Sequence, residues 1–428
     1  MKLQITKYKI QNLRNKYPRF IYEDFSYKVV NNDLEIVFSF LIPPDIKLKP
    51  KLIIENIPKN LQSTEFCKFE NLIFHLGLAE IPSYWKATCS PVIEIKAGNL
   101  NKEQIKWWKK LLIDGLNQFY YENKIDWRKK GFLKIISNGD IKKSDFHKLS
   151  DRYLVPFAGG RDSIVTLEAL KKKGANISLF TVNPIERIQK AVKISGVKKQ
   201  IIVRRIIDKK LLELNKKGYL NGHTPFTSVL SFISVFCAAL FNYKNIAFSN
   251  EKSAEEGNVR YLGKIINHQW AKSLEFEKMF RFYVKKYLVK NVNYFSFLRK
   301  YGDLEISKMF SKYKKYFPVF SSCNAGIRFS NREHLAAKER WCGNCPKCLF
   351  VYMALYPHLN KKELVEIFGK DIFENKKLLS ILRGLLGQGK PKPFECVGTK
   401  AESRLAFKLC LEKVQKSGKI PYLLTKIR

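Results

Sequence analysis

Hydrophobic patterning divides the chain into parts of different regularity. Up to about residue 148, strand-like runs at 34–42 and 51–54 are bounded by turn cues, Asn31-Asn32 and Pro43-Pro44, and a helical stretch covers 102–121. From Tyr153 the pattern sharpens. A short apolar run at 153–157 leads into the turn Ala158-Gly159-Gly160-Arg161-Asp162-Ser163. Helical periodicity follows over 164–173, Gly174 closes it, and 177–182 reads as the next buried strand. Strand, glycine turn, helix and strand within about thirty residues make a βαβ unit, which implies a parallel sheet. Another strand-like run lies at 200–207, an apolar helix at 227–241 and a strand at 245–249. A basic, aromatic stretch at 274–316 reads as helical, and after a cysteine cluster a helical tail runs to Arg428.

The fold class expected from this pattern is α/β. A mixed α/β domain at 1–148 precedes a parallel-sheet domain at 149–355, and a helical C-terminal region at 356–428 completes the active site. The chain has 428 residues, enough for two or three domains with full cores, and 45% of them are hydrophobic, so disorder over most of it is excluded.

Charge changes this picture less than its size suggests. Lys and Arg number 79 against 38 Asp and Glu, a formal net charge of +41. Such an excess fits a polyanionic partner. The Lys residues are scattered, however, and with abundant Ile and Asn they also match an A/T-rich coding bias; charge alone does not establish nucleic-acid binding. The first residues carry no apolar leader, and 227–241 is too short to span a bilayer, so membrane insertion is not expected. With no leader, the nine cysteines point to a reducing, cytoplasmic compartment, where clustered Cys more often bind metal than pair as disulfides.

Two motifs carry chemistry. In the first, a strand ending in Gly159-Gly160 before a helix lets backbone N–H groups close around phosphate at the helix's positive end. Asp162 and Ser163 are placed to cap that helix, and Ser163 to donate to the anion. These residues resemble the PP-loop (S-G-G-x-D-S) of the ATP pyrophosphatases, which split ATP between the α- and β-phosphates. Ala158 replaces the first serine of that motif, so the turn depends on main-chain donors and Arg161. The second motif is Cys342-Gly343-Asn344-Cys345-Pro346-Lys347-Cys348. With Cys323 upstream it supplies four thiolates, the ligand set of a structural Zn²⁺ site. A comparable knuckle follows the PP-loop in the deazaguanine nitrile synthases. Between the motifs, Ser249 and Glu251 lie at the C-terminal end of an expected strand, where ligands bind in open parallel sheets, and acids there suit Mg²⁺ or the nucleotide. His223-Thr224-Pro225 reads as the start of the apolar helix, with Thr224 as N-cap.

Taken in order, the blocks 75–80 (HLGLAE), 83–89 (SYWKATC), the PP-loop, 249–258, 267–269 with 272–277, the knuckle and 392–399 (KPFECVGT) resemble the MurL family, UDP-N-acetyl-α-D-muramoyl-L-alanyl-L-glutamate epimerases of peptidoglycan synthesis. The resemblance implies an adenine nucleotide α hydrolase-like core and a UDP-muramoyl dipeptide substrate. It also implies ATP and Mg²⁺, used to adenylate a carboxylate so that the α-proton beside it can be removed and returned on the other face. Lys86, Arg161 and Lys272 are then charge clamps. Cys89, Cys396 and His268, with His75 and Glu395, become acid–base candidates, although each alone also suits buried packing. The pairs Tyr84-Trp85 and Trp107-Trp108 read as core, with stacking on uridine as the functional alternative. Two other functions stay open at this point: a PP-loop enzyme modifying tRNA or forming amides, and a zinc-stabilised binding module without catalysis.

Overall fold

The computed structural model describes residues 2–59, 61, 63–138, 149–323, 340–415 and 420–427. The strands among them are β1 (Arg19–Val30), β2 (Asp33–Ile42), β3 (Ile46–Leu48), β4 (Lys51–Ile54), β5 (Val92–Ile95), β6 (Lys134–Ser137), β7 (Tyr153–Pro156), β8 (Ile177–Val182), β9 (Gln200–Ile206), β10 (Asn245–Phe248), β11 (Val259–Tyr261), β12 (Lys264–Ile266) and β13 (Asn293–Ser296). Within this α/β fold, eleven of these form one sheet, mixed parallel and antiparallel, in the order β13-β10-β7-β8-β9-β4-β2-β1-β5-β6, with β3 on β2; β11 and β12 form a separate hairpin.

Strands β13, β10, β7, β8 and β9 run parallel, as the βαβ pattern requires. At β9 the direction reverses: β4 pairs antiparallel with Arg204 and Arg205 of β9, so the N-terminal strands extend the parallel sheet without a break. The boundary expected at 148 falls in 139–148, outside the described residues.

Most elements start and stop where the pattern places them, but 274–316 does not form one helical stretch. It holds a helix at Leu274–Tyr283, a π-turn at Val284–Leu288, strand β13 and a helix at Asp303–Phe310. Residues Asn293–Ser296 alternate exposed and buried, with Tyr294 and Ser296 facing inward, and four residues are too few to stand out among aromatic helices. Among the described residues no helix is long and apolar enough to cross a membrane.

The helix Glu70–Trp85 is covered on every side, each residue from Asn71 to Trp85 being buried. Gly77 permits this: a Cβ there would come within 2.1 Å of Tyr22 Oη on β1. Tyr84, Trp85, Trp107 and Trp108 all lie in the core, and the indole N–H groups of the three Trp donate to Ser90 O, Met279 O and Tyr283 Oη. The same helix carries Glu80, whose two carboxylate oxygens take Arg205 Nε and Nη2 at 2.6 and 2.5 Å, with Ser83 Oγ accepting at 3.0 Å. This buried fork ties the helix Glu70–Trp85 to β9. Glu80→Ala leaves the guanidinium buried and unpaired, and a loss of about 3–5 kcal/mol is expected from urea unfolding.

Candidate active site

The glycine turn follows β7, the strand from which the parallel order departs in two directions: β8 and β9 to one side, β10 and β13 to the other. A topological switch point of this kind opens a crevice at the carboxyl ends of β7 and β10. Two segments line it, 158–163 after β7 and 249–258 after β10. Gly159 has φ +67°, a left-handed conformation costly for any residue with a Cβ, and such a Cβ would meet Arg187 Nη1 at 3.3 Å. Gly160 is the N-cap of the helix Arg161–Lys172, and no side chain caps that end. Ser163 Oγ instead donates to Gly160 O at 2.9 Å.

The crevice has polar groups in want of a partner. Among the described residues, Ser249 Oγ and Glu251 Oε2 are buried without a hydrogen bond, as is Arg187 Nη2 beside the turn. Burial raises the Glu251 carboxyl to about 7; Asp303 and Asp162 add to the rise, while Lys272 and Lys347 oppose it. Crowded acids, one of them with an unsatisfied oxygen, next to glycines at a helix N-terminus, make a donor and acceptor set that fits a nucleoside triphosphate with its divalent cation. Arg187 escaped the sequence reading because it looks like a surface residue of an amphipathic helix, 28 positions after Gly159. Its Nη1 donates to Val319 O at 3.3 Å, and among the described residues no carboxylate pairs with it.

Next to the turn lies a thiol cluster. Lys272 Nζ donates to Cys396 Sγ at 3.4 Å, and His268 Nε2 lies 3.9 Å from the same sulfur. Burial works against the Cys396 thiolate, but Lys272, then His268 and Lys347, outweigh it and bring the thiol down to about 5. Lys272 is itself held protonated against its burial by Cys396, Glu251 and Asp162. Segment 392–399 reaches this place through Glu402, which accepts from Ser253 Oγ, Asp303 N, Thr399 N and Thr399 Oγ1 at 2.6–2.9 Å. Lys392 pairs with Glu256 at 3.1 Å and Lys347 Nζ donates to the Cys396 carbonyl.

On the far side of His268, the His223 ring packs 4.7 Å away, centroid to centroid. Lys86 Nζ holds the segment around it, donating to Gly222 O and to Thr224 Oγ1 at 2.5 and 2.7 Å. Burial, with Arg205 nearby, lowers the Lys86 amine to about 8, and burial with His268 and Lys86 keeps His223 neutral.

Four expectations change here. Arg161 does not face the crevice: it is buried, bonded to Asp162 Oδ1 and Ser307 Oγ at 2.8 Å each and paired with Asp303, so its charge is spent inside the fold. Cys89 is not brought to Cys396. Among the described residues its buried thiol has Lys86 O, at 3.9 Å, as its hydrogen-bond partner, and burial pushes it up to about 12 despite Arg14. His75 sits in the core between Asn71 O and Tyr283 Oη at 2.7 and 2.9 Å, lowered by burial to about 4. Thr224 does not cap the apolar helix, which runs Phe226–Leu240 after Pro225; its hydroxyl serves Lys86 instead.

The four knuckle thiols converge. Sγ atoms of Cys323, Cys342, Cys345 and Cys348 all lie within 4.8 Å of one another, with pairs at 3.4, 3.7 and 4.0 Å. A tetrahedron of thiolates about 2.3 Å from zinc has edges of about 3.8 Å, so the set fits that ion. Cys323 continues from Ser321, whose N–H donates to Gly159 O at 3.4 Å, and Ser322 Oγ lies 3.3 Å from where a Gly160 Cβ would be. The knuckle therefore backs the glycine turn. Stripping metal with a chelator, or Cys345→Ser, is expected to lower the melting temperature by roughly 5–10 °C in calorimetry, with zinc restoring only the chelated wild type.

Two family models match the chain: one described as the MurL N-terminal domain, over residues 11–297, and one described as the MurL C-terminal domain, over 319–424. Curated relatives carrying the name UDP-N-acetyl-α-D-muramoyl-L-alanyl-L-glutamate epimerase include one from Micromonospora sp., 37% identical over 70% of this chain and 66% of its own length. Another, from Xanthomonas oryzae pv. oryzae, is 32% identical over 78% of this chain and 73% of its own. A third, from Salinispora tropica, is 38% identical over 61% and 56%. The chain thus spans about two thirds of the first of these relatives. A solved structure from Methanocaldococcus jannaschii, titled a predicted subunit of tRNA methyltransferase, is 20% identical, with 38% of this chain and 75% of that chain covered. Its TM-score is 0.25.

Proposed function

The chain belongs to the MurL family, and we propose that it inverts the terminal L-glutamate of UDP-N-acetylmuramoyl-L-alanyl-L-glutamate to D-glutamate, a step of peptidoglycan precursor synthesis that consumes ATP with Mg²⁺. The observation that carries this reading is Lys272. Its ammonium lies 3.4 Å from the Cys396 sulfur and also faces Glu251 and Asp162, so a thiolate and a nucleotide-type turn share one site.

A proton α to a carboxylate resists removal because the carbanion would lie beside a negative charge. In the proposed reaction a substrate carboxylate oxygen bonds the α-phosphorus of ATP as the bond to diphosphate breaks. The resulting acyl-AMP has a carbonyl able to accept the electron pair when the α C–H bond breaks. Cys396 takes that proton as thiolate, and Lys86, a buried amine lowered to about 8, is the group proposed to return one on the other face. Water then cleaves the mixed anhydride, giving the D-glutamyl carboxylate and AMP. The glycine turn's N–H groups and Arg187 would hold the phosphates. Mg²⁺ would offset phosphate charge, with Glu251 and Asp162 as the carboxylates to hold it.

The test is incubation of the zinc-loaded protein with the UDP-muramoyl dipeptide, ATP and Mg²⁺ in D₂O, followed by chiral analysis of the glutamate. D-glutamate carrying α-deuterium, with AMP and diphosphate formed, supports the reading. AMP that appears only when tRNA is added would sink it.

A further inference from the structure

We infer that Gln118, held by Glu122, is the positioning residue of a Cys396–His268 proton-transfer dyad, fixing which imidazole nitrogen faces the sulfur; the catalytic use of that dyad rests on the epimerase reading above. Gln118 and Glu122 lie four residues apart on the short helix Asn117–Glu122, and Gln118 Nε2 donates to Glu122 Oε1 at 2.7 Å. An ionised carboxylate only accepts, so this bond decides the orientation of the amide: its nitrogen points to Glu122 and its oxygen points away. That oxygen meets His268 Nδ1 at 2.5 Å. A carbonyl oxygen also only accepts, so the proton of the neutral ring sits on Nδ1, and Nε2 turns its lone pair to Cys396 Sγ at 3.9 Å.

The proton transfer this allows is balanced. The S–H bond of Cys396 breaks as the N–H bond forms at His268 Nε2, leaving thiolate and imidazolium. The Nδ1–H bond to Gln118 then becomes charge-assisted. Asn258 sets the backbone register of both partners: its Oδ1 accepts from His268 N at 2.8 Å, and its Nδ2 donates to Pro393 O at 2.7 Å, three residues before Cys396. Among the described residues the charged or titratable groups facing the dyad are Lys272 and Lys347 on the sulfur side, and His223, Lys86 and Glu122 on the ring side. Glu251 and Asp162 stand behind Lys272.

The measurement is peptide-resolved alkylation of Cys396 by iodoacetamide as a function of pH on the folded, zinc-loaded protein, which needs no substrate. In the wild type the thiol should react with a midpoint near pH 5. His268→Ala sets the size of the imidazole's contribution and should raise the midpoint. Gln118→Leu, which removes the acceptor at nearly constant volume, should raise it by about one pH unit. With the base still ionised at neutral pH, kcat there should change little, while below pH 5 it should fall about tenfold, with KM for dipeptide and ATP nearly unchanged. Glu122→Gln lets the amide turn over and should give a smaller shift in the same direction; it also decides the matter if Gln118→Leu does not fold. An unchanged midpoint in the folded Gln118 variant, or in Glu122→Gln in its place, overturns the inference, as does an unchanged midpoint in His268→Ala. Failure of the epimerase reading would show instead as absent AMP formation with the midpoints still moving.

Discussion

Cys396→Ser is expected to slow α-proton exchange by about 10³-fold or more while ATP–diphosphate exchange stays within about twofold of wild type. In the proposed reaction the two half-reactions use different parts of the site. Adenylation needs the turn after β7 and the donors beside it, none of which depends on the sulfur. Proton removal needs a base that is ionised at neutral pH, and the serine hydroxyl that replaces the thiol is not. Cys396 meets the requirement because Lys272 at 3.4 Å and His268 at 3.9 Å outweigh its burial, bringing the thiol to about 5. The base form therefore predominates above pH 5, and the exchange rate should rise through that pH and level off on the alkaline side. Deuterium uptake into the substrate, read by mass spectrometry alongside labelled diphosphate exchange, separates the two steps. Loss of both exchanges in a folded Cys396→Ser protein would mean that the thiol serves the nucleotide and not the α-proton.

Cys89 should behave differently, and the contrast explains what the sequence could and could not convey. Both cysteines lie in distinctive blocks, and nothing local distinguishes their acidities. The difference comes from residues far away in the chain. Cys396 meets Lys272 and His268, while Cys89 lies under a core that includes Tyr120 and Phe132 and is pushed up to about 12. The glycine turn and the knuckle, by contrast, were legible because most of their chemistry sits within six or seven consecutive residues, with Cys323 alone lying apart. The βαβ order around the turn was legible for a related reason: parallel strands buried on both faces read as plain apolar runs. The N-terminal half was harder. Strand β1 has a register shift between Tyr22 and Asp24 that interrupts its alternation, and the helix Glu70–Trp85 is buried all round, so it shows no amphipathic stripe. Gln118 had no signal at all, since a glutamine in a helix looks like solvated surface until His268, 150 residues on, folds against it.

Lys272 also bears on the charge of the whole chain. A net charge of +41 suggests a surface for polyanions, yet Lys272, Lys347, Lys392 and Arg161 are cations enclosed in the crevice or the core around it. Each has a local duty: Lys272 to the thiol, Lys347 to the Cys396 carbonyl, Lys392 to Glu256 and Arg161 to Asp303. These cations serve partners within the fold, so the charge excess does not by itself call for nucleic acid; the proposed substrate, which joins a nucleoside diphosphate to a glutamyl carboxylate, would itself be polyanionic.

Arg187→Ala should then show the complementary loss. It is expected to reduce ATP–diphosphate exchange by about 10³-fold, and α-proton exchange with it, because no activated carboxylate forms. The guanidinium reaches the turn from the helix Glu186–Ser195, contacts Val319 O at 3.3 Å, and keeps beside Gly159 a buried Nη2 that has no partner among the described residues. A donor left unsatisfied in a buried place costs free energy, and a phosphate oxygen at the turn would supply its missing bond. Arg187→Lys should recover little, since a single ammonium cannot reproduce two planar donors of which one is already given to Val319. Cys396 alkylation reports on the other half of the site and should stay at the wild-type midpoint near pH 5 in both variants. Full ATP–diphosphate exchange in Arg187→Ala would place the phosphates elsewhere. A shifted Cys396 midpoint would mean that the variant disturbs the crevice as a whole, whereas loss of both exchanges over an unmoved thiol assigns Arg187 to the nucleotide and Cys396 to the proton.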